Sequence, residues 1–337
     1  MSDLLNNNLN VWRDITDPRR AEEVDDLEAG LKAPDFENLE IPEYLGKVDV
    51  LIDDHKIKRY AFELDDYSPW ALEASPFGGD RIAHAGLLTN DLVQLFTLVY
   101  RGSDVVGLHT EEQLWFDSPA KLGEVVTLEG EYVDSYVARG QGYVVMDATA
   151  KGPDGRSIVR HRGVEILRTM PGSIAGRASA KPDKKVTGEI PENPNYIDKI
   201  TPDVKVGDVL TPLKKTITAE QAAVFSRVGE FVTNIHNNLN AARGGGLRIP
   251  IVQGAQIFCA STELLTRAFG ADFFTGGWIR VKFISPVKVF EPFEISGIVT
   301  DIEAVEGNRI KVYLDIWARR QDGRLAIVGW TSCTISK

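Results

Sequence analysis

The sequence predicts an α+β chain made of two copies of one unit, each a long buried helix followed by an antiparallel sheet that wraps it. Three observations carry this prediction. The two halves repeat at an offset of 167 residues that holds without a gap over one long stretch, each half holds an apolar segment of helical length, and alternating runs joined at hairpin signals follow each segment.

In the repeat, Ser118-Pro119-Ala120-Lys121-Leu122-Gly123-Glu124 matches Ser285-Pro286-Val287-Lys288-Val289-Phe290-Glu291, and the offset persists without a gap to Gly130/Gly297 and Asp134/Asp301. One residue of slip later, Asp154-Gly155-Arg156 matches Asp322-Gly323-Arg324. Upstream, with a slip of one, Arg81-Ile82-Ala83-His84-Ala85-Gly86 lies opposite Ile249-Pro250-Ile251-Val252-Gln253-Gly254. A repeat of about 130 residues is too large for a solenoid unit and marks a duplicated domain. The helices are expected at about 85–100 (Leu88, Leu92, Leu95, Val99) and 254–268 (Ile257, Phe258, Leu264, Leu265). Both are apolar nearly all round, as helices buried within a fold are. Behind them come alternating runs such as Val125-Val126-Thr127-Leu128-Glu129-Gly130-Glu131-Tyr132 and Ile310-Lys311-Val312-Tyr313-Leu314-Asp315-Ile316-Trp317. Asp154-Gly155 and Asp322-Gly323 sit between such runs, where a hairpin needs a residue at positive φ.

The boundaries follow from composition. Residues 1–45 hold 12 acidic and 4 basic side chains and form an acidic extension, a solvated helix or an interaction arm. Residues 46–169 are the first unit. Residues 170–205, with 5 of the 16 prolines, are a linker, and 206–337 are the second unit. The formal charge of −11 argues against a nucleic-acid binder, which needs clustered cations. Once the extension is set aside, only −3 remains on the body, which leaves room for an anionic substrate. Two cysteines, Cys259 and Cys333, make no disulfide framework. The start Met1-Ser2-Asp3-Leu4-Leu5-Asn6 lacks the pattern of a secretion signal, and no apolar run reaches bilayer length. A cytoplasmic protein without membrane partners is expected.

The stretch richest in chemistry is Phe225-Ser226-Arg227-Val228-Gly229-Glu230-Phe231-Val232-Thr233-Asn234-Ile235-His236-Asn237, leading to Pro250-Ile251-Val252-Gln253-Gly254. It resembles the MaoC-like (R)-specific enoyl-CoA hydratases, whose signature is a Gly-Asp, an Asn, a His on a short loop, and a Pro-Ile-Val-His-Gly run into a helix. The resemblance covers roughly residues 50–335. It implies the double hot-dog form of that family, acting as a hydratase or dehydratase on an acyl thioester of coenzyme A. No cofactor beyond that substrate is implied, and a homodimer is a further expectation.

Hydration of an enoyl thioester needs a base for the water, an acid for the α-carbon and a donor for the enolate oxygen. The resemblance gives His236 and Glu230 the acid–base pair and Asn234 the orienting of water or acid. Gly254 becomes the oxyanion donor at a helix start, with Gln253 beside it. Here Glu stands six residues before the His where the family has Asp five before, and Gln253 replaces the family's helix-start His. In the first half Asp65-Asp66-Tyr67-Ser68-Pro69-Trp70-Ala71 is a degraded site: Asp66 matches the acid, but Ala71 replaces the imidazole. That half is expected to shape the acyl pocket, with Asp66 and His84 at the substrate.

Plainer roles stand beside these. His236 is otherwise a turn-packing histidine, Glu230 a surface acid, Asn234 a loop brace and His84 a satisfied helix-start histidine. Gly244-Gly245-Gly246 lacks the Lys-Ser/Thr of a phosphate loop and is a turn. His55, His109 and His161 show no metal-ligand spacing, so no metal site is expected. Trp70, Trp115, Phe116, Phe231 and Trp278 are candidate pocket aromatics. The competing functions are a hot-dog thioesterase and a non-catalytic acyl-binding or scaffold subunit.

Overall fold

A computed structural model describes residues 28–105, 107–138, 140–166, 185–226 and 234–336. Among them, twelve strands join into one sheet. The first half contributes β1 (Glu43–Leu51), β2 (Leu108–Phe116), β3 (Val125–Ala138), β4 (Gln141–Lys151) and β5 (Ser157–Ile166). The second contributes β6 (Tyr196–Ile197), β7 (Val209–Leu210), β8 (Leu213–Lys215), β9 (Trp278–Phe283), β10 (Phe293–Val305), β11 (Arg309–Arg320) and β12 (Leu325–Ser336). The order is β1-β3-β4-β5-β2-β9-β12-β11-β10-β7-β6, with β8 also on β10, so the halves meet where β2 pairs antiparallel with β9.

The repeat is visible at the level of single residues. The isolated bridge Ile82–Lys121 recurs as Ile251–Lys288. The bulge between Tyr132 and Asp134 on β3 recurs between Val299 and Asp301 on β10. Ser118 Oγ donates to the Ser157 carbonyl, and Ser285 Oγ donates to that of Leu325. Gln113 faces Arg280 across the junction, and these two are themselves 167 apart, so the pseudo-twofold axis passes between them. Both Asp-Gly hairpins form, with Gly155 and Gly323 at φ +80 and +82.

The second half has its long helix, Gly254–Phe269, buried almost along its whole length and stopped by Gly270 at positive φ. The first half does not. The helix expected over about 85–100 is a turn at His84–Leu87, a five-residue helix Thr89–Val93 and a 3-10 segment Gln94–Leu98. Its polar residues are drawn into other bonds. Asn90 Nδ2 donates to the Phe225 carbonyl, Asp91 pairs with Lys56, and Thr97 Oγ1 donates to the Gln94 carbonyl. Gly86 passes so close to the long helix that a Cβ there would lie 3.4 Å from Cys259 Cα and nearer still to Tyr60 and Thr262. One continuous apolar cluster runs through both halves, from Ile57 and Leu92 to Phe225, Phe258 and Ile295.

Part of the acidic extension is docked on the first unit. Lys32 bridges Tyr100 through the backbone and Glu43 through its ammonium, and Phe36 covers Gly142. β1 begins at Glu43, so the first sheet takes in the last residues counted with the extension. Of the linker, residues 185–205 lie along the second sheet: Val186 packs on Trp317 and Val328, and Tyr196–Ile197 pairs with β7. No helix among the described residues is long and apolar enough to cross a membrane.

Candidate active site

The loop that carries His236 is braced by its own asparagines. Asn234 Oδ1 accepts from the backbone N–H groups of His236 (2.9 Å) and Asn237 (3.2 Å), and Asn237 Oδ1 accepts from Asn234 N (3.0 Å). This is an Asx-type turn, in which short amide side chains replace backbone partners. Asn234 therefore holds the histidine's main chain, and its oxygen is used there rather than on a water.

The turn sets the imidazole against the strand-like run before the long helix. His236 Nδ1 lies 2.8 Å from the Ile251 carbonyl. A carbonyl only accepts, so Nδ1 carries the hydrogen and Nε2 is left with a free lone pair. Burial pushes the imidazole down to about 4 against the raising effect of that carbonyl. At neutral pH the ring is an uncharged base. The run itself is fixed by Val252 N donating to the Val287 carbonyl and by the Ile251–Lys288 bridge.

Gln253 caps the long helix through its backbone carbonyl, which accepts from Gln256 N and Ile257 N. Its side chain makes no capping bond, and its buried Oε1 has no partner. The first N–H groups of the helix, at Gly254 and Ala255, have no intrahelical acceptor and sit at the positive end of the dipole. A Cβ on Gly254 would lie 2.9 Å from two atoms of the Phe283 ring, so only glycine allows that ring to close against the helix start.

His236, Gln253 and Gly254 line one cavity of about 210 Å³. The first half lines it too, with Asn90, Gln94, His109 and Glu165. Sequence reasoning missed these four. His109 lacks metal-ligand spacing, yet a histidine and several acids inside one strand-like run, Leu108-His109-Thr110-Glu111-Glu112, are a signal in themselves. Among the described residues no group of His, Cys, Asp or Glu is arranged to hold a metal ion.

Two expected substrate contacts lie elsewhere. His84 and Asp66 sit in a separate cavity of about 20 Å³ beside Thr262, Glu263 and Thr266 of the long helix. Gly254 and Thr262 are eight residues apart, about 12 Å along a helix. There His84 Nε2 bonds the Asp66 carbonyl at 2.9 Å, and burial lowers the imidazole pKa. The degraded site is thus closed upon itself, with Trp70 and Phe274 in its walls. The expected pocket aromatics are also corrected. Trp115, Phe116 and Trp278 line a shallow groove on the sheet, and Phe96 and Phe283 are the aromatic rings of the His236 cavity. Glu230 and Phe231 lie outside the described residues. Both cysteines are buried, and burial raises the Cys259 thiol to about 12, so neither is a nucleophile.

No family model matches the chain, and no curated protein matches it in sequence. Solved structures do match. One is a MaoC-like dehydratase at 17% identity and TM-score 0.68, covering 90% of this chain and 99% of that one. A MaoC domain protein dehydratase from Chloroflexus aurantiacus J-10-fl matches at 13% identity and TM-score 0.63, over 89% and 96%. A third, Rv0216 from Mycobacterium tuberculosis, described as having a double hotdog fold, matches at 14% and 0.60, over 90% and 99%. At such identities the likeness establishes the fold. This chain is a double hot-dog protein, and the site is read on its own chemistry.

Proposed function

We propose that the protein is a hydro-lyase that adds or removes water across the 2,3 bond of an acyl thioester, with coenzyme A as the carrier of the acyl group. The observation that supports it most is a neutral imidazole, its Nε2 lone pair free, sharing a cavity with the unpaired N–H groups of a sixteen-residue helix. In the hydration direction His236 Nε2 takes a proton from water as its oxygen bonds to C3. The C2–C3 π electrons move onto the thioester oxygen, and the Gly254 N–H and the helix dipole stabilise that enolate. A proton then returns to C2. Glu230, six residues before His236, is proposed as the carboxyl that delivers it, and Gln253 Oε1 as an acceptor for the water.

Crotonyl-CoA, followed both by enoyl absorbance and by free thiol, tests the reading. Loss of absorbance without thiol supports hydration. Thiol release would make the protein a thioesterase, and silence across a panel of short thioesters would leave a binding subunit. His236→Ala should lower turnover by about 10²–10⁴, the range of a general acid–base group.

A further inference from the structure

The part of the cavity wall that the first half supplies is more polar than a plain acyl pocket requires. His109 stands at a bulge in the β2–β5 pairing, a device that re-aims a side chain, and its cross-strand partner is Glu165. Both line the cavity. Behind them Glu112 is fully buried, its carboxylate 2.7 Å from His109 Nε2 and 2.8 Å from His161 Nε2. Both contacts fall outside hydrogen-bond geometry for the ring N–H groups, so His109 Nε2 is buried without a hydrogen-bond partner. Although burial opposes it, Glu112 helps to hold the His109 imidazole pKa above its usual value, while burial pushes the Glu165 carboxyl up.

A second polar group comes from the broken first-half helix. Asn90 is nine-tenths buried and lines the same cavity. Its Nδ2 donates to the Phe225 carbonyl at 2.6 Å, while its Oδ1 has no partner. A buried acceptor left unpaired costs about 1–3 kcal/mol, which a donor on a ligand relieves. The path from the reaction centre to this wall is short. Phe283 packs against Gly254 and lies, tilted by 45°, 4.8 Å from the His109 ring. The volume of 210 Å³ suits a short acyl chain, being somewhat larger than the ~150 Å³ that accepts benzene.

We propose that the acyl group bound here is short and carries a hydroxyl beyond the reacting carbons, which the wall of Asn90, His109 and Glu165 recognises. A hydroxyl both donates and accepts, as Asn90 Oδ1 and the His109 imidazole together require. A carboxylate would meet Glu165 and Glu112, and a plain alkyl end would leave Asn90 unpaired. The proposal rests on the thioester reading of the site and is tested apart from it.

Hexanoyl-CoA and 6-hydroxyhexanoyl-CoA lack the double bond and the 3-hydroxyl, so calorimetry with the full chain reads binding alone. The hydroxylated thioester should bind at least about tenfold more tightly, and His109→Phe and Asn90→Leu should each bring the ratio towards one. If Asn90→Leu does not fold, His109→Phe carries this arm by itself. Equal affinities in the unmodified protein, tighter binding of hexanoyl-CoA, or a ratio that survives substitution would overturn the proposal. Hydration of crotonyl-CoA with no hydroxyl preference would remove this inference and keep the proposed function. A hydroxyl preference without hydration would do the reverse.

Discussion

Gly254→Ala separates the helix start as a packing feature from the helix start as an oxyanion donor. The new Cβ would sit 2.9 Å from two Phe283 ring atoms and 3.3 Å from a third, where ordinary contact begins near 3.4 Å. The ring must shift by about 0.5 Å or more; the His109 ring, 4.8 Å away, confines it on one side, and the cavity that both rings line gives it room to slide. Overpacking costs typically about 1–3 kcal/mol, and a ring that can yield belongs at the low end. At the first position of the helix, alanine's better propensity returns only part of the ~1 kcal/mol it is worth in a helix interior. The net change in Tm should therefore stay within about 3 °C. Chemistry should suffer more. The backbone donor and the ring that frames the substrate shift against each other, and a misplacement of about 1 Å costs on the order of 10²-fold. The expectation is a fall in kcat of about 10- to 100-fold in a protein that melts nearly normally. The assay pairs a thermal melt with thioester turnover. Turnover within about twofold of the parent, at an unchanged Tm, would refute the oxyanion assignment.

Three further expectations concern other parts of the molecule. The His236 imidazole is depressed from 6.5 to about 4, so its contribution to stability is complete above pH 6.5 and is lost as pH falls towards 4. Allowing for its partial exposure to the cavity, that loss is about 2 kcal/mol. Unfolding free energies of the parent and of His236→Gln from urea titrations should converge by this amount between pH 7 and pH 4, and a pH-independent gap would be the contrary result. Lys215→Met removes the ammonium that pairs with Glu263 at 2.7 Å and caps the Leu64 and Asp65 carbonyls, a loss of about 3–5 kcal/mol. Adding Glu263→Gln should recover part of it, and a double variant no better than the single would show that the carbonyl contacts dominate. Asp66→Asn should change kcat/KM less than about threefold, because Asp66 lies about two helical turns from Gly254. A dead Asp66→Asn enzyme with active His236→Ala would move the chemistry to the other cavity.

The duplication was legible because a gapless offset survives in turn residues that each sheet must repeat, such as Asp154-Gly155 and Asp322-Gly323. The long second helix was legible for the same local reason. Its first-half counterpart was not, since the break depends on Phe225 and Lys56, which no helical period contains. At the site, His236 and the helix start at Gly254 share one cavity, as the loop-to-helix motif suggested. The His109 and Glu165 part of the wall was hidden because it is made by strand pairing. His109 meets Glu165, and Glu112 meets His161, only when β2 and β5 align. His84 was misplaced by analogy: it matches the helix-start position of the repeat, but its own half has closed around it.

The β2–β9 junction bears on what the chain can assemble with. A dimer of identical units would place the same pair on both flanks of its axis. Here one flank sets Glu111 against Arg280 and Lys282, and the other sets Trp115 against Trp278. Two copies of the second half joined in that register would bring Arg280 onto Arg280 and forfeit the carboxylate that neutralises it. Two copies of the first would strand Glu111 without its cations. Fusion has made the halves exclusive mates, so coexpressed fragments should find the unlike partner and shun their own kind.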